Sequence, residues 1–118
     1  MKPYKVNDIS HLVQLSYTCK QIFSTIKKEH QLTYEEVFIL EYVYYGEKKK
    51  YDMKEITKAA NLKPYYITKA LQKLKDMNLV SKKRNLKDER TVIIEISKTQ
   101  REKIKKIIDQ IESYLVFE

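Results

Sequence analysis

The chain has 118 residues and a formal net charge of +8, from 24 Lys and Arg against 16 Asp and Glu. A chain of this size buries roughly two-thirds of its extended surface, enough for one modest core, so residues 1–118 are expected to form one domain. The longest apolar runs, "VFIL" at 37–40 and "YLVF" at 114–117, fall far short of the roughly 20 residues that cross a bilayer, so no membrane partner is expected. One glycine excludes a glycine-rich phosphate loop, and one cysteine excludes an intramolecular disulfide. No apolar segment follows Met1, and the expected location is the cytoplasm.

Residues 47–90 hold 14 basic and 6 acidic side chains, a surplus equal to that of the whole chain, and the other 74 residues carry 10 of each sign. A basic middle in a neutral frame is the electrostatic footprint of a protein that meets a polyanion. The plainer alternative is a lysine-rich chain with solvated faces, which predicts charge spread evenly.

The first helix is expected to start at Asn7 or Asp8, both good N-caps, and to run to about Glu29. Ile9, Leu12, Ser16, Cys19, Phe23 and Ile26 recur at three- and four-residue steps, with Val13, Leu15 and Ile22 beside them. That stripe is wider than one buried face of a small domain needs. "LTYEEV" opens a second helix, with Thr33 and Glu36 as a capping box and Leu32 stapled to Val37. Gly46 suits the left-handed position that ends it, and "GEKKKY" at 46–51 reads as a flexible link. Asp52 and Glu55 form another capping box for a short third helix. Asn61 and Pro64 then mark a tight turn into a fourth helix over 64–77. Its apolar side is Ile67, Ala70, Leu71 and Leu74, and its polar side is Tyr65, Tyr66, Lys69, Gln72 and Lys73.

After Asn78 the period becomes that of strands: Leu79 and Val80 lead into "SKKR", then a polar tip "NLKDE", then "RTVIIEI". This reads as a β-hairpin. Ser97 with Gln100 caps a last helix whose apolar ridge is Ile104, Ile107, Ile108, Ile111 and Leu115.

The predicted class is therefore mainly α with a small β-hairpin. A helix-turn-helix at about 53–77 followed at once by a hairpin at about 79–96 is the order of a winged helix-turn-helix. A helix of this kind fits the major groove of DNA, where Gln72 could pair with adenine and Lys69 or Lys73 with guanine or a phosphate. Lys54, Lys63, Lys82 and Lys83 would hold phosphates, and Tyr65 and Tyr66 are the tyrosines placed to touch DNA. Arg84 and Arg90 flank the hairpin tip, where a guanidinium can enter a narrow A-tract minor groove or clamp its phosphates. Asp88 and Glu89 either orient Arg90 through a bidentate pair or simply favour the turn.

The segment "KPYYITKALQKLKDMNLVSKKRNLKDERTVI", residues 63–93, resembles the recognition helix and wing of the staphylococcal accessory regulator (Sar) family, within the MarR-type winged-helix group. The likeness runs from "KVNDI" at 5 through "IKKEHQLTYEEVFIL" at 26–40 to the last helix, and is strongest to the single-domain R and A members. It implies a homodimeric regulator of virulence-associated genes that binds AT-rich double-stranded promoter DNA. It also implies DNA-binding roles for Arg84 and Arg90, with Asp88 and Glu89 in the same motif. Dimer contacts are implied for the first and last helices, here Ile9, Leu12, Val13, Ile108, Ile111 and Leu115. Several relatives carry a redox-sensing cysteine where this chain has Ile9; Cys19 lies on the apolar stripe and is expected to be a small core residue. No cofactor or metal is expected, because His11 and His30 lack partners at ligand spacing, and no catalytic constellation presents itself. The rival reading is a protein-interaction module whose basic face meets an acidic partner.

Overall fold

The computed structural model describes residues 3–84, 87 and 91–115. Its elements are α1 (Ile9–His30), α2 (Tyr34–Gly46), β1 (Lys50–Asp52), α3 (Met53–Ala60), α4 (Pro64–Asp76), β2 (Ser81–Arg84), β3 (Val92–Glu95) and α5 (Lys98–Glu112). The three strands form one antiparallel sheet in the order β1-β3-β2. Arg90, Asp88 and Glu89 of the expected wing tip lie outside the described residues.

Local chemistry sets most of the boundaries. Asp8 caps α1 by accepting the His11 N–H at 2.8 Å. The expected capping boxes are present at Thr33 with Glu36, Asp52 with Glu55 and Ser97 with Gln100. Each satisfies amides that a helix start leaves without a partner. Asn61 takes the left-handed conformation after α3 and Pro64 opens α4. At the other end of α4, Asn78 is left-handed, its N–H donates to the Lys75 carbonyl, and the Leu79 N–H donates to the Leu74 carbonyl. That pair of bonds is a Schellman motif, and Leu79 and Leu74 are both buried beneath it.

Two expectations fail between 46 and 52. The link at 46–51 is partly β1, whose register pairs Lys50 with Glu95, Tyr51 with Ile94 and Asp52 with Ile93. Gly46 is the last residue of α2, and Glu47 is the left-handed one, at φ 55°. Glycine is needed at 46 for space, since a Cβ there would collide with the Tyr51 hydroxyl and lie 3.0 Å from its Cε1. That hydroxyl donates to the Val43 carbonyl at 2.8 Å and accepts the Lys48 N–H at 3.0 Å.

The core lies between α2, α4, α5 and the inner sheet face, with Ile39, Leu40, Val43, Ile67, Leu71, Ile94 and Ile104 buried in it. Arg101 of α5 reaches back to the C-terminal end of α2 and donates to the carbonyls of Tyr44 at 2.9 Å, Lys48 at 2.8 Å and Val43 at 3.3 Å. A cation suits the negative end of that helix. The domain is elongated, 50 by 26 by 22 Å, because α1 is about 33 Å long at 1.5 Å per residue and only its C-terminal part packs on the body. Ile26 is its one buried residue, with Ile22 and Phe23 half-buried beside it.

Candidate nucleic-acid interface

Helix α4 turns Ile67, Ala70, Leu71 and Leu74 into the core, which fixes the opposite side toward solvent. Tyr65, Tyr66, Lys69 and Gln72 are exposed there, as expected, and the two tyrosine rings meet edge to face at 5.6 Å. Lys63 is the exposed N-cap of α4 and makes no side-chain capping bond. Lys54 is exposed on the first turn of α3.

The wing residues are sorted by the pleat. Successive residues of a strand point to opposite faces, and the register pairs Lys82 with Ile94, Lys83 with Ile93 and Arg84 with Val92. Lys82 therefore shares the inner face with Ile94 and Tyr51, and its Nζ approaches Gln72 Oε1 of α4 at 3.4 Å. Gln72 in turn donates to Asp76 at 3.0 Å. This links strand β2 to the exposed side of α4 and makes one continuous polar surface of Tyr65, Lys69, Gln72 and Lys82. Arg84 is exposed at the end of β2 and also borders a depression of about 460 Å³ on the outer sheet face, with Lys50, Lys83 and Glu95.

Lys83 points the other way. Its Nζ lies 2.9 Å from Glu95 Oε2, and Lys50 approaches the other oxygen at 3.5 Å. The bond from Lys83 holds the Glu95 carboxyl below its ordinary value. Lys73 is likewise engaged within the chain, bonded to Glu36 Oε1 at 2.9 Å and to the Gln31 carbonyl. Neither ammonium is presented as freely as those of Lys69 or Lys63.

Sequence reasoning missed the polar cluster behind the helix-turn-helix. Glu55 accepts from Tyr42 at 3.0 Å and from Lys48 at 3.0 Å while its carboxylate also closes the α3 capping box. Desolvation raises its pKa, but the bonds from Lys48, the Asp52 amide and Tyr42 outweigh that and leave it lowered. The capping pattern showed one of these partners, and the others come from residues up to 13 positions away. The long-range bond of His30 Nε2 with the Tyr114 hydroxyl at 3.0 Å had no local signal either.

At the far end of the molecule, Ile9, Leu12 and Val13 are 73%, 45% and 60% exposed, with Tyr17 at 66% beside them. Leu115 is exposed and Ile111 half-buried. Ile108 is 9% exposed and lies in the core of the chain's own fold, so it has little surface left for a partner. Cys19 is exposed, because the stripe it belongs to leaves the body before reaching it.

Comparison with known proteins matches these features to one group. The family described as "Transcriptional regulator SarA/Rot" matches residues 21–107. HTH-type transcriptional regulator SarR of Staphylococcus aureus (strain USA300) is 48% identical over 111 residues, 94% of this chain and 96% of that protein. Transcriptional regulator SarA of Staphylococcus aureus (strain Newman) is 34% identical over 107 residues, 91% of this chain and 86% of that one. Among solved structures, reduced AbfR bound to DNA is similar at a TM-score of 0.74 and 20% identity, covering 91% of this chain and 76% of that one. MarR is similar at 0.73 and 18%, covering 86% and 74%. The fold is thus that of winged-helix regulators of the MarR type, and among the described residues no helix is long and apolar enough to cross a membrane. The chain belongs to the SarA/Rot family of transcriptional regulators.

Proposed function

We propose that this chain is a cytoplasmic, homodimeric regulator that binds AT-rich double-stranded promoter DNA and controls virulence-associated genes. It acts as one winged-helix domain, with its helix-turn-helix at about 53–77 and its wing at about 79–96. Helix α4 enters the major groove through Tyr65, Tyr66, Lys69 and Gln72. The wing lays Arg84 and Arg90, the latter beside Asp88 and Glu89, against the adjacent minor groove. Lys54, Lys63 and Lys82 hold phosphates on either side. Two subunits joined through Ile9, Leu12, Val13, Ile111 and Leu115 address half-sites about one helical turn apart. Exposed apolar side chains clustered on one helix favour a partner over solvent.

The observation that carries this reading is the continuous surface on which Lys82 of the wing meets Gln72 of α4 at 3.4 Å, with Lys69 and both tyrosines exposed beside it. Family membership among transcriptional regulators supports it, as does the likeness in fold to AbfR, which was solved bound to DNA. Fluorescence anisotropy on labelled AT-rich and GC-rich duplexes tests it. Tighter binding to the AT-rich duplex, with that preference reduced by Arg84→Ala, is the expected result. Equal and weak binding to both, unaffected by the substitution, would favour an acidic protein partner.

A further inference from the structure

Helix α1 ends at Gln31, which is left-handed at φ 61°, and α2 starts two residues later from Thr33. This corner is where the projecting arm joins the body. Glu36, in the first turn of α2, is only 5% exposed. One of its oxygens, Oε1, accepts both the Thr33 N–H at 2.9 Å and the Lys73 ammonium at 2.9 Å. Lys73 comes from the last turn of α4 and also donates to the Gln31 carbonyl. A single ammonium therefore joins the end of α1, the start of α2 and the DNA-facing helix.

Each charge also sits where its own helix favours it, the carboxylate at a helix start and the ammonium at a helix end. That offsets part of the desolvation incurred by the pair, whose carboxylate is buried and whose lysine is 34% exposed. Removing Lys73 leaves the Glu36 carboxylate charged with only 7% of its side chain exposed, and removing Glu36 takes the counter-charge from a lysine that also holds the Gln31 carbonyl, so the corner has reason to rearrange when the pair is broken.

We propose that Lys73 and Glu36 form a clip that fixes the angle between the α1 arm and α4, making both positioning residues for DNA recognition and neither a DNA contact. The inference rests on the reading that α4 binds DNA and α1 joins the subunits. If α1 sets how two subunits meet, the clip sets where each α4 stands relative to its twin. Half-site recognition depends on that spacing.

Salt titrations separate a clip from a phosphate contact. A lysine that neutralises one phosphate reduces the slope of log affinity against log salt by about one when it is removed. Lys63→Gln, at a proposed phosphate contact, should do so. Lys73→Gln and Glu36→Gln should each weaken duplex binding about tenfold at every salt concentration, leave the slope at the wild-type value, and keep the far-ultraviolet spectrum of the folded chain. Glutamine at 36 still offers an oxygen to the Thr33 N–H, so the helix start is preserved and only the charge pair is lost. Lys73→Arg, which keeps the charge, should recover most of the affinity.

A second readout needs no DNA. Spin labels at Lys20→Cys and Lys75→Cys, in a Cys19→Ser chain diluted into unlabelled protein, report the distance from arm to α4. Its distribution should be narrow in the otherwise wild-type chain and broad with Glu36→Gln. An unchanged distribution, wild-type affinity in Glu36→Gln, or a slope lowered by about one in Lys73→Gln would overturn the clip. Wild-type protein that shows no salt-dependent duplex binding would instead overturn the DNA reading and this inference with it.

Discussion

Gly46→Ala probes how α2 is fitted to the sheet. The added methyl would collide with the Tyr51 hydroxyl and press on the ring at 3.0 to 3.1 Å. Tyr51 has no room to retreat: it is 1% exposed, packs edge-on against Tyr42 at 5.9 Å and lies under the Lys48 ammonium at 4.8 Å. Moving it loses a donated and an accepted hydrogen bond, about 1–3 kcal/mol together, and overpacking adds about 1–3 kcal/mol. Alanine's better helix propensity returns about 0.5–1 kcal/mol. The expected net loss is about 1–5 kcal/mol, which lowers the urea midpoint by about 0.5–2.5 M and Tm by roughly 4 °C per kcal/mol. In a Tyr51→Phe chain the offending oxygen is gone, so the same substitution should cost markedly less, and a double-mutant cycle in urea measures the difference. A Gly46→Ala chain as stable as wild type, or one equally destabilised with and without the hydroxyl, would refute the steric argument.

Three further outcomes follow from other contacts. Arg101→Met should cost about 2–3 kcal/mol by leaving the α2 end carbonyls without their charged donor, read as a shift in denaturant midpoint. Glu55→Gln should destabilise the chain at neutral pH, and its gap from wild type should narrow on acidification. The reason is that a carboxyl with a lowered folded pKa contributes fully above the ordinary carboxylate range and ceases to contribute as pH falls through the folded value. Urea midpoints at neutral and acidic pH test the sign. Val13→Asp places a charge among the exposed side chains of the α1 arm and should raise the dimer Kd on the order of 30-fold, about 2 kcal/mol, by sedimentation equilibrium.

What could be read from the sequence was what is local. Capping boxes name their own partners three residues apart, so Thr33, Asp52 and Ser97 located three helix starts. Pro64 and Asn61 likewise marked the turn of the helix-turn-helix, and the period of Ile67, Ala70, Leu71 and Leu74 gave the inward side of α4 and hence its exposed side. Strand β1 was missed because "KYD" becomes a strand only through pairing with residues 93–95, and its single apolar side chain gives no alternation to detect. Gly46 was assigned a backbone role when its constraint comes from Tyr51, which folding brings against it. Lys73 sits on the polar side of α4 by period, yet its reach to Glu36, 37 residues away, belongs to the packing of α2 on α4. The same limit applies to Ile108 and Cys19, since a helical stripe shows which residues share a side but not where the neighbouring body ends.

The central claim is that one surface, made by the outer side of α4 and the inner edge of β2, receives DNA. Backbone amide chemical shifts recorded while an AT-rich duplex is added to the isotope-labelled protein test it most directly. The largest shifts are predicted at Tyr65, Thr68, Lys69, Gln72, Lys82 and Arg84, with little change at Lys103, Lys105 and Lys106 of the equally lysine-rich α5. Shifts centred on α5, or spread evenly over lysines on every face, would contradict the account.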